Sequence, residues 1–428
     1  MNTSIPDTNP VTRRSAKRIE ARHQRIANIL ALAMLPLSGF ATDIYVPSLP
    51  TMAGAMHVSS LQIQFTITLY LISYGISQLF IGSIIDSYGR YRISLVSLII
   101  FAFASLAIAL THTIDIIYLM RIIQGATVGA VIAGKRAYFV DLFTGDRLKN
   151  YLSLFSIIWS TGPIVAPFIG GWLQTGFGWE ANFYLLAGTG ISFAVLEYFF
   201  SGETLPQPAP FQLKRVVNVY AGMLTTGPFI LGIGMMGLAY AMVMVYNMTA
   251  PFIIEHQLHF NVVTTGYCCL AMGVAWMVGG FISKAMIRFH FFRKLAVNIG
   301  LQILLVLLML ALIRQAETLY TLVIFAFLIH VGAGYTFNNY MTFCMTRFPQ
   351  NAGIASGLIG GFAFLIVSSL SYGIVNILPA RDEWNLGYSY LIFILFSAVI
   401  LFVAARETAG KRNVKPEAAE KLLKGFSE

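Results

Sequence analysis

Apolar and polar positions do not alternate at short range in this chain. They segregate into apolar runs of about 20 residues, the length that carries an α-helix across the hydrocarbon core of a bilayer. Twelve such runs lie near 27–49, 60–82, 93–111, 114–137, 150–173, 182–200, 221–247, 262–284, 294–313, 318–342, 353–377 and 386–405. One interruption is longer and more polar than the rest, SGETLPQPAPFQLKRVVN at 201–218, whose prolines and bases mark a linker. The pattern predicts an all-α polytopic membrane protein: a basic leader at 1–26, a six-helix bundle at 27–200, the linker at 201–220, a second six-helix bundle at 221–405 and a tail at 406–428.

The halves echo each other. Gly82 opens GSIIDSYGRYR after span 2 and Gly280 opens GFISKAMIRFH after span 8, with Lys284 where the first copy has Asp86. Asp43 stands four residues before Pro47 in span 1, and Asn247 four before Pro251 in span 7. Such repeats are characteristic of secondary transporters with a site between pseudo-symmetric bundles.

Composition narrows the class. With 57% hydrophobic and 11% charged residues among 428, the chain has too little polar surface for a soluble globule. A net charge of +10 would point to nucleic acid in a soluble protein. Here, with both termini placed in the cytoplasm, all of the 28 Lys and Arg fall on the cytoplasmic side except Arg314 and Arg381 outside and Arg121 within a span. That bias is the positive-inside signal, so the bases report topology and no nucleic-acid partner is expected. Cys268, Cys269 and Cys344 sit in apolar runs and build neither a disulfide framework nor a CxxC metal site; no metal or cofactor is expected. The basic start followed by IANILALAMLPLSGFA imitates a signal peptide, but the apolar run continues through Asp43 to Leu49, which favours an uncleaved first span.

Asp43 is the first candidate functional residue, because a lone carboxylate in hydrocarbon costs about 3 kcal/mol or more and is kept only if something answers it. Arg121, early in a span that runs the other way, falls at a similar depth. The two charges can neutralise each other, and a proton on Asp43 would release Arg121. The alternative is a permanent ion pair that only fixes helix packing. Tyr45, Tyr70, Tyr74, Gln124, Asn247, Tyr335, Asn338 and Asn339 could line a polar-aromatic cavity, although Tyr near helix ends is also the ordinary interfacial belt. His330, well inside span 10, could carry a proton or be a satisfied packing residue.

Several segments resemble a known family. GSIIDSYGRYR, with Gly82, Asp86, Gly89 and Arg90, resembles the cytoplasmic-loop signature of the major facilitator superfamily, though Ser87 and Tyr91 replace its basic residues. Arg121, Gln124 and Gly125 resemble that superfamily's Arg-x-x-Gln-Gly signature in span 4. KRAYFVDLF, with Arg136 and Asp141, resembles its bicyclomycin-resistance-like branch, as does YNMTAPFIIEHQLHF in span 7. STGPIVAPFIGGWL, with Gly162, Pro163, Pro167, Gly170 and Gly171, is similar to the span-5 signature of the drug–proton antiporters, and TDIYVPSLP, with Pro47, to their span-1 signature.

The resemblance implies a twelve-helix transporter, not an enzyme, that exports a small amphiphilic compound in exchange for protons by alternating access. It also implies a monomer in a bacterial cytoplasmic membrane, with Asp43 and Arg121 as the coupling pair. Gly82, Asp86, Gly89, Arg90, Arg136 and Asp141 would latch the two halves in the outward-open state, with Asp141 the natural partner of Arg90. The alternative is a proton-coupled permease for one metabolite, such as a siderophore, peptide or amino acid. Some related exporters carry a second acid two turns before the span-1 aspartate; ALAMLPLSG has none, which leaves doubly charged cations in doubt. A membrane-embedded enzyme would need clustered His, Asp, Glu or Cys, or a Gly-x-x-x-x-Gly-Lys-Ser/Thr loop, and the sequence has neither.

Overall fold

In the computed structural model, residues 18–424 are described apart from 206, 208–212, 316 and 349–351. The first span is broken into three pieces, α1 (Gln24–Ala33), α2 (Leu37–Asp43) and α3 (Leu49–Ala55), with a 3-10 turn at Val46–Ser48 between the last two. Pro36, Pro47 and Pro50 remove backbone donors at these breaks, which is why one apolar run does not make one helix. The pieces together run from Gln24 to Ala55, beyond the expected end at 49.

Long helices follow: α4 (Ser60–Tyr88), α5 (Arg90–Leu110), α6 (Ile114–Leu142), α7 (Gly145–Phe177) and α8 (Glu180–Phe200). A short helix, α9 (Leu213–Leu224), precedes the second set: α10 (Gly227–Phe252), α11 (Val262–Ala285), α12 (Phe291–Ile313), α13 (Leu319–Met345), α14 (Ala352–Ile377) and α15 (Glu383–Lys424). Among the described residues, eleven helical stretches are long and apolar enough to cross a membrane, and α7, with 33 residues, is a further long helix of the bundle. Span 7 starts at Gly227 rather than near 221, because Pro228 fits a helix's first turn and separates α10 from α9.

Local chemistry sets the ends. Ser59 and Gln62 form a capping box at the start of α4, and Thr318 with Thr321 does the same for α13. Gly89, at φ +98°, joins α4 directly to α5 in a backbone conformation that a side chain would strain.

The first and second sets of helices meet along α4 against α14 and α7 against α11. Gly75 and Gly361 allow α4 and α14 to touch, a Cβ on Gly75 falling 2.9 Å from the Gly361 carbonyl oxygen. Gly266 lets α11 approach α7 at Pro167. These small residues replace the hydrophobic driving force that lipid does not provide. Short basic turns such as Gly89–Arg92 lie at one end of the bundle, called here the basic face.

Candidate functional site

Asp43 is the last residue of α2 and is buried, 1% exposed. Its Oδ1 accepts from Asn247 Nδ2 of α10 at 2.9 Å, while Oδ2 has no hydrogen-bond partner. The contact therefore joins the first half of the chain to the second. The repeat that matched Asp43 to Asn247 in the sequence has placed the two side chains against each other.

Arg121, on α6, is fully buried, and it does not pair with Asp43 as expected. Its Nη1 donates to the Ala41 carbonyl at 2.7 Å and to Gln124 Oε1 at 2.9 Å, and its Nε to the Thr66 carbonyl at 3.3 Å. Its guanidinium carbon lies 4.6 Å from the Tyr45 ring centroid and 4.4 Å from that of Tyr70. The physical reason is the broken span: Ala41 lies in the last turn of α2, where carbonyls lack helical donors and carry the negative end of the dipole. A planar five-donor fork can serve three oxygens while stacking on rings. Arg121 thus bonds the backbone two residues before Asp43 and makes no direct ion pair with the carboxylate.

Tyr45 and Gln124 belong to this shell and not to a cavity wall. The Tyr45 hydroxyl bonds Thr66 Oγ1 at 2.8 Å, and Gln124 Nε2 donates to Ser105 Oγ at 2.7 Å. Gly125 admits α4, since a Cβ there would lie 2.3 Å from the Tyr70 carbonyl oxygen.

A central cavity lies between α7, α10 and α11. Each contributes a stripe at helical spacing: Trp159, Pro163 and Pro167; Tyr240, Met244 and Asn247; Cys269, Met272 and Trp276. A smaller lobe, lined by Ser38, Thr42, Tyr70, Tyr74 and Phe364, shares Trp159, Pro163 and Tyr240 with it. The space suits a few waters rather than a drug-sized molecule, so the halves are closely packed in this state. Of the expected lining residues, Tyr70, Tyr74 and Asn247 face these lobes.

Tyr335, Asn338 and Asn339 do not. The two amides donate to their own helix at the Gly334 and Tyr335 carbonyls, both at 2.8 Å, and the Tyr335 hydroxyl reaches the sulfur of Met286. The face that carries them packs on α11, where Gly279 and Gly334 bring the backbones together. His330 is buried between Tyr246 and Tyr390, its Nδ1 2.6 Å from the Ala326 carbonyl oxygen.

The helix-bend residues act as contacts. A Cβ on Gly39 would meet the Pro163 ring, one on Gly162 the Pro36 carbonyl, and one on Gly170 the Ile44 carbonyl oxygen at 1.7 Å. Gly171 faces Val262 of α11. Span 5 is therefore keyed to the breaks on both sides of Asp43.

At the basic face, Arg90 Nε lies 2.7 Å from Asp141 Oδ2 and Arg90 Nη2 3.1 Å from Asp86 Oδ1. These contacts stay within the first set of helices and do not join the halves, because α5 and α6 neighbour each other inside it. Gly82 has open space around it. Among the described residues here, a contact that does cross is Arg136, which bonds Ser356 Oγ of α14 and lies over the Phe155 ring; Tyr220 of α9 adds a bond to the Leu79 carbonyl at 2.8 Å.

Two features escaped the sequence reading. Glu203 accepts from the backbone N–H groups of Arg90 and Tyr91 at 3.1 and 3.3 Å, and Lys135 forms a buried ion pair with Glu197. Both acids sit at the end of an apolar run, where a charge reads as a boundary.

Residues 31–372 match the Major Facilitator Superfamily. The chain is 28% identical over 356 residues to the uncharacterized MFS-type transporter YdgK of Bacillus subtilis, covering 81% of this chain and 88% of that protein. It is 27% identical over 380 residues to multidrug resistance protein D of Escherichia coli, covering 86% and 93%. A bicyclomycin resistance protein homolog of Haemophilus influenzae is 34% identical over 173 residues, 40% of this chain and 43% of that one. Among solved structures, a D-xylose–proton symporter superposes with a TM-score of 0.66 at 15% identity, covering 88% of this chain and 97% of the other. The family match takes in most of the chain and the solved structure repeats its fold, so the protein is a polytopic membrane transporter that belongs to the Major Facilitator Superfamily.

Proposed function

We propose that the protein exports small amphiphilic compounds in exchange for protons by alternating access, as a monomer in the cytoplasmic membrane of a bacterium with both termini inside. The observation that carries this reading is the buried Asp43 carboxylate, bonded through one oxygen to Asn247 of the other half and unpartnered at the second. When Asp43 is charged, the Asn247 N–H bond to it is charge-assisted and draws the halves together at that level. A proton weakens this bond and at the same time removes the cost of a buried charge, so protonation of Asp43 changes the balance between closed and open arrangements. Asn247 also faces the cavity, so a bound compound that competes for its amide reports its presence to Asp43. The stripe of Trp, Tyr and Met around the cavity suits apolar bodies of varied shape. The similarity to proteins named for multidrug and bicyclomycin resistance supports drug-like cargo.

The test is transport in proteoliposomes with an imposed pH gradient, using a panel of neutral, zwitterionic and monocationic fluorescent amphiphiles. Asp43→Asn is expected to abolish gradient-driven accumulation while leaving binding measurable. Full accumulation by this variant would sink the proposal.

A further inference from the structure

The two copies of the loop signature have opposite electrostatics. In the first, Arg90 is answered by Asp86 and Asp141. In the second, aligned from Gly280, Arg288 takes the place of Arg90 and Lys284 that of Asp86. The helix that corresponds to α6, α13, is followed by Arg347 and supplies no acid. From Asn261 to Arg314 the sequence contains no Asp or Glu at all.

Lys284, Arg288 and Arg293 are exposed at the α11–α12 turn, and none is in an ion pair among the described residues. Beside them Phe281, Ile287 and Phe289 are 63%, 64% and 62% exposed, apolar side chains with no protein packed over them among the described residues. Lys294 holds the turn in shape by donating to the Met286 carbonyl at 3.1 Å. Three cations without an ion-pair partner among the described residues therefore sit at the turn between two spans, interleaved with side chains that suit acyl chains.

We propose that the α11–α12 turn binds the phosphate of an anionic phospholipid headgroup, with Lys284, Arg288 and Arg293 as its counter-charges and Phe281, Ile287 and Phe289 against the acyl chains. Juxtamembrane bases of this kind attract anionic lipid by about 1 kcal/mol each. The lipid supplies in the second half the negative charge that Asp86 and Asp141 supply in the first. The assignment rests on the membrane-spanning fold alone and is independent of the cargo.

Native mass spectrometry of the full chain, offered equal phosphatidylglycerol and phosphatidylcholine, tests it. The wild type is expected to retain phosphatidylglycerol preferentially, and each neutralised base to lower that preference by roughly fivefold. Lys284→Gln/Arg288→Gln/Arg293→Gln should erase it, whereas Arg25→Gln/Arg147→Gln/Arg406→Gln, with the same change in net charge, should retain it. If the first triple variant does not fold, Arg288→Gln alone carries the test. An unchanged preference in the loop variants, an equal loss in the control, or displacement of the lipid by millimolar inorganic phosphate would overturn the assignment.

Discussion

From sequence alone Asn247 is expected to line the cavity and Asp43 to be the coupling acid, and a 2.9 Å hydrogen bond joins the two side chains. An N–H donor favours a carboxylate in its charged form. Asn247→Ala removes that donor, so the pH profile of transport should shift. Initial rates and affinity measured over about pH 5–9 check this; a changed affinity with a fixed profile would return Asn247 to recognition alone. Arg121→Lys keeps the charge and loses the fork. The Ala41 and Thr66 carbonyls cannot both be served by one ammonium in the place of two guanidinium nitrogens. A loss of about 1–3 kcal/mol in thermal stability is expected, the cost of a buried acceptor left unsatisfied.

Span 5 illustrates how a helix can be specified by its glycines. Gly170 sits so close to the break after α2 that its Cβ would fall 1.7 Å from the Ile44 carbonyl oxygen, whereas Gly176, on the same helix, has nothing within 4 Å. Gly170→Ala should cost about 1–3 kcal/mol by forcing α7 away from the broken span, while Gly176→Ala should stay within about 0.5 kcal/mol. Thermal unfolding of the two variants in the same detergent makes the comparison. Equal melting temperatures would mean that α7 and the first span are not in register as described.

The halves are held at the basic face by Arg136 on Ser356 and Tyr220 on Leu79, not by the loop signature. Arg136→Gln is therefore expected to shift the equilibrium towards opening at that face by about 1–2 kcal/mol, within the usual range of coupled conformational equilibria. Asp86→Asn, whose partner Arg90 is in the same half, should shift it little. Double electron–electron resonance between spin labels at the exposed positions Tyr88 and Thr346 reads both variants. A large widening for Asp86→Asn with none for Arg136→Gln would restore the signature as the latch between halves.

Membrane spans and the isolated charges Asp43 and Arg121 were legible because each is a local property: in hydrocarbon, a run of apolar residues must satisfy its own backbone, and any charge within it stands out. The four-residue step from Asp43 to Pro47 and from Asn247 to Pro251 was legible for the same reason, but it did not show that the two side chains bond each other. Partner choice was not. Arg121 prefers backbone carbonyls at a broken helix end to the carboxylate at its own depth, and no sequence position announces a freed carbonyl. Tyr70 and Tyr74 face a cavity while Asn338 and Asn339, polar residues that also lie within a span, bond their own helix. The difference lies in how each helix is rotated about its axis, and that rotation is set by glycine contacts between segments far apart in the chain. Spacing along one helix fixes which residues share a face; only the packing of all the helices fixes what that face meets.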